Sequence, residues 1–291
     1  MADSCGRVTG YIDPNFPRPD SDDSACIIIF GYTPSFALGV LGVVLFFIAL
    51  LLHLWLLLRY RTWYFCTVLI GTAMEVAGYI FRILASRINP YSVAYFVGQY
   101  FCIVVAPVFY SAAIYTLISV MINHVGRQYS PLPPKVILWI FIICDVIATI
   151  IQIAGAALVG SAYSNGKDPN TPNHILLAGL AFQVFTFGLF IVLFVWFLTK
   201  ARKQLNTALK IFAAAVFVAT LAVYLRTCIR LAETAEGLLE FLSTHEVIFG
   251  CLEFAPIIIA VYVFVYWHPG RWLGSKRGQG KAFKSQASTG S

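Results

Sequence analysis

Seven long apolar runs decide what this chain can become. They cover about residues 34–57, 63–86, 94–122, 136–159, 174–198, 209–232 and 246–266. Each approaches or exceeds the roughly 20 residues that cross about 30 Å of hydrocarbon as an α-helix. A soluble core could not hide this much apolar surface, which points to a polytopic helical membrane protein. Only 11% of the 291 residues are charged, against about 25% in soluble domains. The expected fold class is therefore all-α: a polytopic bundle of seven transmembrane helices over 34–267, with an extracellular N-terminal segment at 1–33 and a basic, disordered cytosolic tail at 268–291.

Lysine and arginine set the expected orientation. Thirteen fall beside one set of helix ends, among them Arg59, Arg127, Lys200, Lys203 and the tail, and four (Arg7, Arg18, Arg87 and Lys167) beside the other. Cytoplasmic loops carry the excess, so the N-terminus is expected outside and the C-terminus in the cytosol. The net charge of +7 is then a topological signal and implies no nucleic acid. The first 33 residues are too rich in Asp and Pro for a signal peptide, so the first helix acts as the insertion signal and the segment before it reads as an extended stretch or lid. Pro107 and Pro256 sit inside apolar runs, where they kink a helix or absorb tilt. Pro131, Pro133 and Pro134 make a stiff break.

Several classes of chemistry lack their residues. The seven cysteines include five spread over five apolar runs, with no CxxC or Cys/His metal spacing; they read as small buried apolar groups, and neither metal nor cofactor is expected. Cys5 and Cys26 lie on the outer side, where one disulfide is an option. No Walker A, GxSxG or HExxH motif is present, so no enzyme is expected. The seventh run has no lysine for a retinal Schiff base, and the third ends Met121-Ile-Asn-His-Val-Gly-Arg127 without the acidic-Arg-aromatic triplet of rhodopsin-like receptors. His53 near the inner end of the first run reads as a hydrogen-bonded helix-end residue, and His174 and His245 as interfacial. Five of the six tryptophans lie toward cytosolic ends, as an interface belt does.

The charges that do enter the apolar runs are costly, roughly 2.5–3.5 kcal/mol each at bilayer depth unless paired or wetted. Gly71, Glu75, Gly78 and Arg82 share one helical stripe, joined by Tyr79. Glu75 and Arg82 are too far apart to satisfy each other, so both need partners on other helices. Asp145 and Gln152 share a face of the fourth run. Arg226, Arg230 and Glu233 share one in the sixth, as do Glu246, Gly250 and Glu253 in the seventh; Gln99 and Gln183 lie in the third and fifth. The expectation is that three acids (Glu75, Asp145, Glu253) meet three arginines (Arg82, Arg226, Arg230), and that six helices aim polar groups at one region in the outer half. That region is either an ion-pair lattice that holds the bundle or a partly hydrated cavity for a polar head group. Glycines 71, 78, 155 and 250 would let backbones approach near these faces.

These residues also carry a resemblance. Glu75-x-x-Gly78-Tyr79-x-x-Arg82; Gln99 with Ala106-Pro107 and Ala112-x-x-Tyr115; Asp145 with Gln152 and Gly155; Gln183; Arg226-x-x-x-Arg230-x-x-Glu233; His245-Glu246 with Glu253 and Pro256; and His268-Pro269-Gly270 follow one another, almost all of them on the predicted helices. In this order the chain resembles the fungal lipid-translocating exporter family, which includes aminocholesterol-resistance proteins and sphingoid long-chain-base exporters. The resemblance covers about 34–270. It implies a seven-helix plasma-membrane protein that exports or flips lipids or toxic amphiphiles, with no catalytic residue. The chain departs from the pattern at Ala156-Ala157, where glycine is expected, and at Ile248-Phe249-Gly250-Cys251, where more aromatic character is expected. The function expected is therefore translocation of a lipid or amphiphilic small molecule through the outer-half cavity, by Glu75, Tyr79, Arg82, Gln99, Asp145, Gln152, Gln183, Arg226, Arg230 and Glu253. The alternative is a seven-helix lipid or stress sensor without transport. The residues name no protein partner.

Overall fold

A computed structural model describes residues 11–16, 25, 27–164, 170–237 and 241–272. Among them the regular structure is helical. The helices α1 (Phe36–Tyr60), α2 (Cys66–Arg87), α3 (Val93–Val125), α4 (Pro134–Ser164), α5 (Asn170–Ala201) and α6 (Thr207–Glu236) supply six spans. A short helix α7 (Phe241–Thr244) leads into the seventh span, built from α8 (Glu246–Ile248), a π-helical turn (Phe249–Phe254), α9 (Ala255–Tyr266) and a last turn α10 (Pro269–Trp272). All seven spans are long and apolar enough to cross a membrane, and the protein is an integral membrane protein.

Local chemistry sets the boundaries. Ser35 caps α1, its side chain accepting the Leu38 N–H; Ser92 caps α3 and Asn206 caps α6 in the same way, each satisfying one of the orphan N–H groups of a helix start. At the other ends α3 and α6 stop at Gly126 (φ +133°) and Gly237 (φ +130°), a backbone state that side chains with a Cβ rarely adopt. The proline break at 131–134 ends in α4 itself, with Pro134 at its first position, where its missing N–H costs nothing.

Consecutive helices pack side by side from α1 to α6, and α9 closes the ring by packing against α6 and α1. α3 lies inside that ring and also touches α6, and it is the most buried of the spans. Its column of Tyr110, Ile114, Tyr115, Ile118 and Met121 forms the middle of the core. Lipid-facing positions on the outer helices stay apolar and exposed, as at Trp139, Phe185 and Val192. Gly155 lets α4 meet α5 backbone to backbone: a Cβ there would lie 2.6 Å from the Leu176 nitrogen. Gly250 plays no such part, because a Cβ there would meet only Leu38, at 3.9 Å.

The two ends of the bundle differ. One carries the N-terminal segment and the α2–α3 and α6–α7 connections; we call it the N-face. There Ile28 and Phe30 pack with Ala85 and Tyr91 into a small cluster of their own, and Ala25 N–H bonds the Tyr91 carbonyl. The N-terminal segment therefore lies across the helix ends. At the opposite face, His268 is fully buried and Pro269–Trp272 forms a helical turn, so bundle packing runs past residue 267. The expectations for Cys5, Cys26 and the tail beyond Trp272 lie outside the described residues.

Candidate functional site

The charges of α2, α6 and the seventh span converge beneath the N-face. Arg82, fully buried, donates from Nη2 to Glu246 Oε1 at 2.5 Å and to the Tyr32 hydroxyl at 3.0 Å. Its guanidinium also lies 4.4 Å from the Phe249 ring centroid, close enough for a cation–π contact. Burial pushes the Tyr32 phenol up, so it meets Arg82 as a neutral acceptor. Glu246 Oε1 accepts the Ser35 N–H as well, at 2.8 Å. One carboxylate thus ties the start of α1 and the seventh span to α2.

Two turns along the same span, Glu253 is shared. Its Oε1 accepts from Arg230 Nη1 at 2.9 Å, and its Oε2 lies 3.6 Å from Arg226 Nη2. Arg230 Nη1 also donates to Glu233 Oε2 at 2.9 Å, and its guanidinium lies 4.7 Å from the Tyr100 ring. Arg226 finds its short hydrogen bond elsewhere, to the Ile103 carbonyl at 2.5 Å. That carbonyl is free because Pro107 stands four residues on and has no N–H to return. So Pro107, inside an otherwise continuous α3, supplies an acceptor for a buried cation. Glu253 is carried by the π turn Phe249–Phe254, three residues before Pro256. Such turns add a residue to the helix, and they recur at functional sites.

Between these groups lies a partly open cleft of about 70 Å³, room for roughly five to seven waters at ~10–15 Å³ each. Arg82, Gln99, Arg230, Glu233 and Glu253 supply its polar lining, and Phe30, Tyr32, Phe96, Tyr100 and Phe249 its aromatic lining. Gln99 Oε1 is buried without a hydrogen-bond partner.

The ten expected site residues divide into three groups. Arg82, Gln99, Arg230 and Glu253 line the cleft. Arg226, Glu75 and Tyr79 do not line it and are buried close by; Tyr79 stacks on Phe46 at 5.4 Å. Glu75 Oε1 has no hydrogen-bond partner, and no ion pair reaches Glu75 among the described residues. Asp145, Gln152 and Gln183 stand apart. Asp145 Oδ2 accepts from Ser111 at 2.5 Å and from Tyr115 at 2.9 Å, and Gln152 Nε2 donates to Gln183 Oε1 at 2.8 Å. They join α3, α4 and α5 through hydrogen bonds to hydroxyl and amide partners.

The expected pairing of three acids with three arginines is therefore corrected. Asp145 meets hydroxyls, Arg82 takes Glu246, Arg230 takes both Glu233 and Glu253, and Glu75 takes none. The single region fed by six helices is corrected too, since Asp145 bonds to α3 and Gln152 to Gln183 of α5, away from the cleft. The reading missed Glu246, Glu233 and Tyr32 as members. Glu246 and Glu233 were visible as i, i+7 partners of Glu253 and Arg226, but the balance of three against three hid them. Tyr32 precedes the first helix and left no signal. Among the described residues no three His, Cys, Asp or Glu side chains group as a metal ion would need.

A seven-helix integral membrane protein with an ion-paired, aromatic-walled cleft at one face is the class that these features define. Residues 68–276 match the family described as RTA1 like protein, and the chain belongs to that family. The resemblance read from the sequence holds. The chain is 29% identical over 309 aligned residues to the sphingoid long-chain base transporter RSB1 of Saccharomyces cerevisiae, covering 93% of this chain and 80% of that protein. It is 28% identical to protein RTM1 of the same species, over 69% of this chain and 66% of the other. With protein RTA1 it shares 26%, over 68% and 63%. No solved structure matches.

Proposed function

We propose that the protein moves long-chain amphiphiles with a cationic head group, of the sphingoid-base kind, out through the plasma membrane. The head group enters the N-face cleft while the alkyl chain stays in lipid. The observation that carries this reading is the pair of carboxylates, Glu233 and Glu253, on one small cleft with the free carbonyl of Gln99. An ammonium has three N–H donors and no acceptor, and these groups offer it acceptors on several sides. The aromatic wall of Phe30, Phe96 and Phe249 suits the first methylenes. The family and the name of the RSB1 relative support a lipid substrate. On the expected orientation the cleft faces outward. Arg82, Gln99, Arg230 and Glu253 contact the head group, Arg226, Glu75 and Tyr79 support them, and Asp145, Gln152 and Gln183 brace α3–α5. The chain lacks a Walker A motif, so uphill movement draws on an ion gradient or another protein.

The test uses purified protein in liposomes with a fluorescent sphingoid base, beside a fluorescent phospholipid, each followed by leaflet-selective quenching. Protein-dependent movement of the base, lost in Glu253→Gln, is expected, with the phospholipid moving more slowly. Equal movement in wild type and Glu253→Gln removes the cleft from the path.

A further inference from the structure

The charge balance of the cluster contains a second prediction, which rests on the reading just given. Arg82, Arg226 and Arg230 bring three positive charges. Glu233, Glu246 and Glu253 pair with them and bring three negative ones. Glu75 is a fourth carboxylate, fully inside the bundle, with a bare Oε1. If every group is ionised the cluster is one positive charge short. An uncompensated ion at this depth costs several kcal/mol, so something must supply that charge: a proton on Glu75, or a cation in the cleft.

The groups facing Glu75 permit an exchange between the two. α6 contributes Arg226 and the π turn contributes Glu253. α3 contributes Cys102 and Tyr110, and α2 itself Tyr79, with Arg82 two turns along. α1 packs there with Gly42 and Phe46 against Tyr79 and brings no titratable group. Arg226 is the only base among them that is not committed at short range to a carboxylate; its contact with Glu253 is 3.6 Å, long beside the 2.9 Å pairs of Arg230.

We propose that the cluster exchanges one proton on Glu75 for one ammonium head group in the cleft. The ammonium bonds Glu253 and Glu233. Arg226, released from Glu253, turns to Glu75, whose O–H bond breaks and whose proton leaves to solvent. Net charge is zero before and after, and one proton departs per cation bound. Proton and substrate therefore exclude each other, and movement of one in a membrane drives the other in the opposite sense. A zwitterionic phospholipid supplies no net positive charge and releases no proton.

The deciding experiment is calorimetric titration of the protein in nanodiscs with dodecylamine at about pH 6, far below the amine's pKa of roughly 10, with empty discs as blank. Running it in two buffers of different ionisation enthalpy counts protons. Wild type is expected to release close to one proton per amine, and its affinity to fall about tenfold per unit of falling pH, the slope for one linked proton. Glu75→Gln is expected to bind with the wild type's low-pH affinity, without pH dependence and without release; Glu75→Asp keeps the release. Binding by wild type with no proton released overturns the exchange and leaves the transport reading standing. Release that persists in Glu75→Gln also overturns it. Absence of binding by wild type overturns both.

Discussion

The Arg82–Glu246 pair makes an asymmetric prediction. The two partners sit 2.5 Å apart, but the Arg82 side chain is 1% exposed and that of Glu246 is 25% exposed. Removing the acid by Glu246→Gln keeps an oxygen for Ser35 N–H and strands a guanidinium whose Nε and Nη1 already lack partners. Breaking a buried pair in this way costs about 3–5 kcal/mol. Removing the base by Arg82→Gln leaves a carboxylate that water reaches and that still accepts the Ser35 N–H, which costs about 1 kcal/mol or less. On the stranded charges alone the difference is at least about 2 kcal/mol, roughly thirtyfold in an unfolding equilibrium. The cation–π contacts of Arg82 with Phe249 and Tyr32 survive in Glu246→Gln and are lost in Arg82→Gln, which adds about 1 kcal/mol to the latter's cost and leaves Glu246→Gln the costlier change by about 1 kcal/mol or more. The double variant removes both ions and is expected to match Arg82→Gln, far short of the sum of the singles. Reversible unfolding in mixed micelles, followed by circular dichroism, measures all four proteins. Equal costs for the two singles, or an additive double, would refute the argument from exposure.

Two further outcomes are expected. Gly155→Ala places a Cβ 2.6 Å from the Leu176 nitrogen and 2.8 Å from its Cα; backbone cannot rotate aside, so α4 and α5 part at a cost of about 1–3 kcal/mol, while Gly250→Ala is neutral in the same unfolding assay. Pro107→Ala returns an N–H to the Ile103 carbonyl that Arg226 now holds, so amphiphile movement in liposomes is expected to drop while thermal stability stays at or above wild type.

Much of the molecule was legible before its structure. Periodicity and hydropathy placed all seven spans, because a backbone in hydrocarbon has so few solutions. The same cost argument picked out Glu75, Arg82, Arg226, Arg230 and Glu253 as inward-facing, and all are buried or nearly so. Pairing was less legible. Which guanidinium takes which carboxylate depends on rotation of one helix against another and on where a turn widens, and neither leaves a local signal. Asp145 shows this: its depth matched Glu75, yet α3 presents Ser111 and Tyr115 to it where an arginine was expected.

The sequence alone determined that this protein is a helical membrane bundle with more charge inside than lipid tolerates, since length, hydropathy and helical spacing are properties of single segments. Only the tertiary structure decided that Glu246 and Tyr32 hold Arg82, that Pro107 frees a carbonyl for Arg226, and that no ion pair among the described residues reaches Glu75. Those are relations between segments, and they arise when seven helices and the strand of chain before them pack into one core.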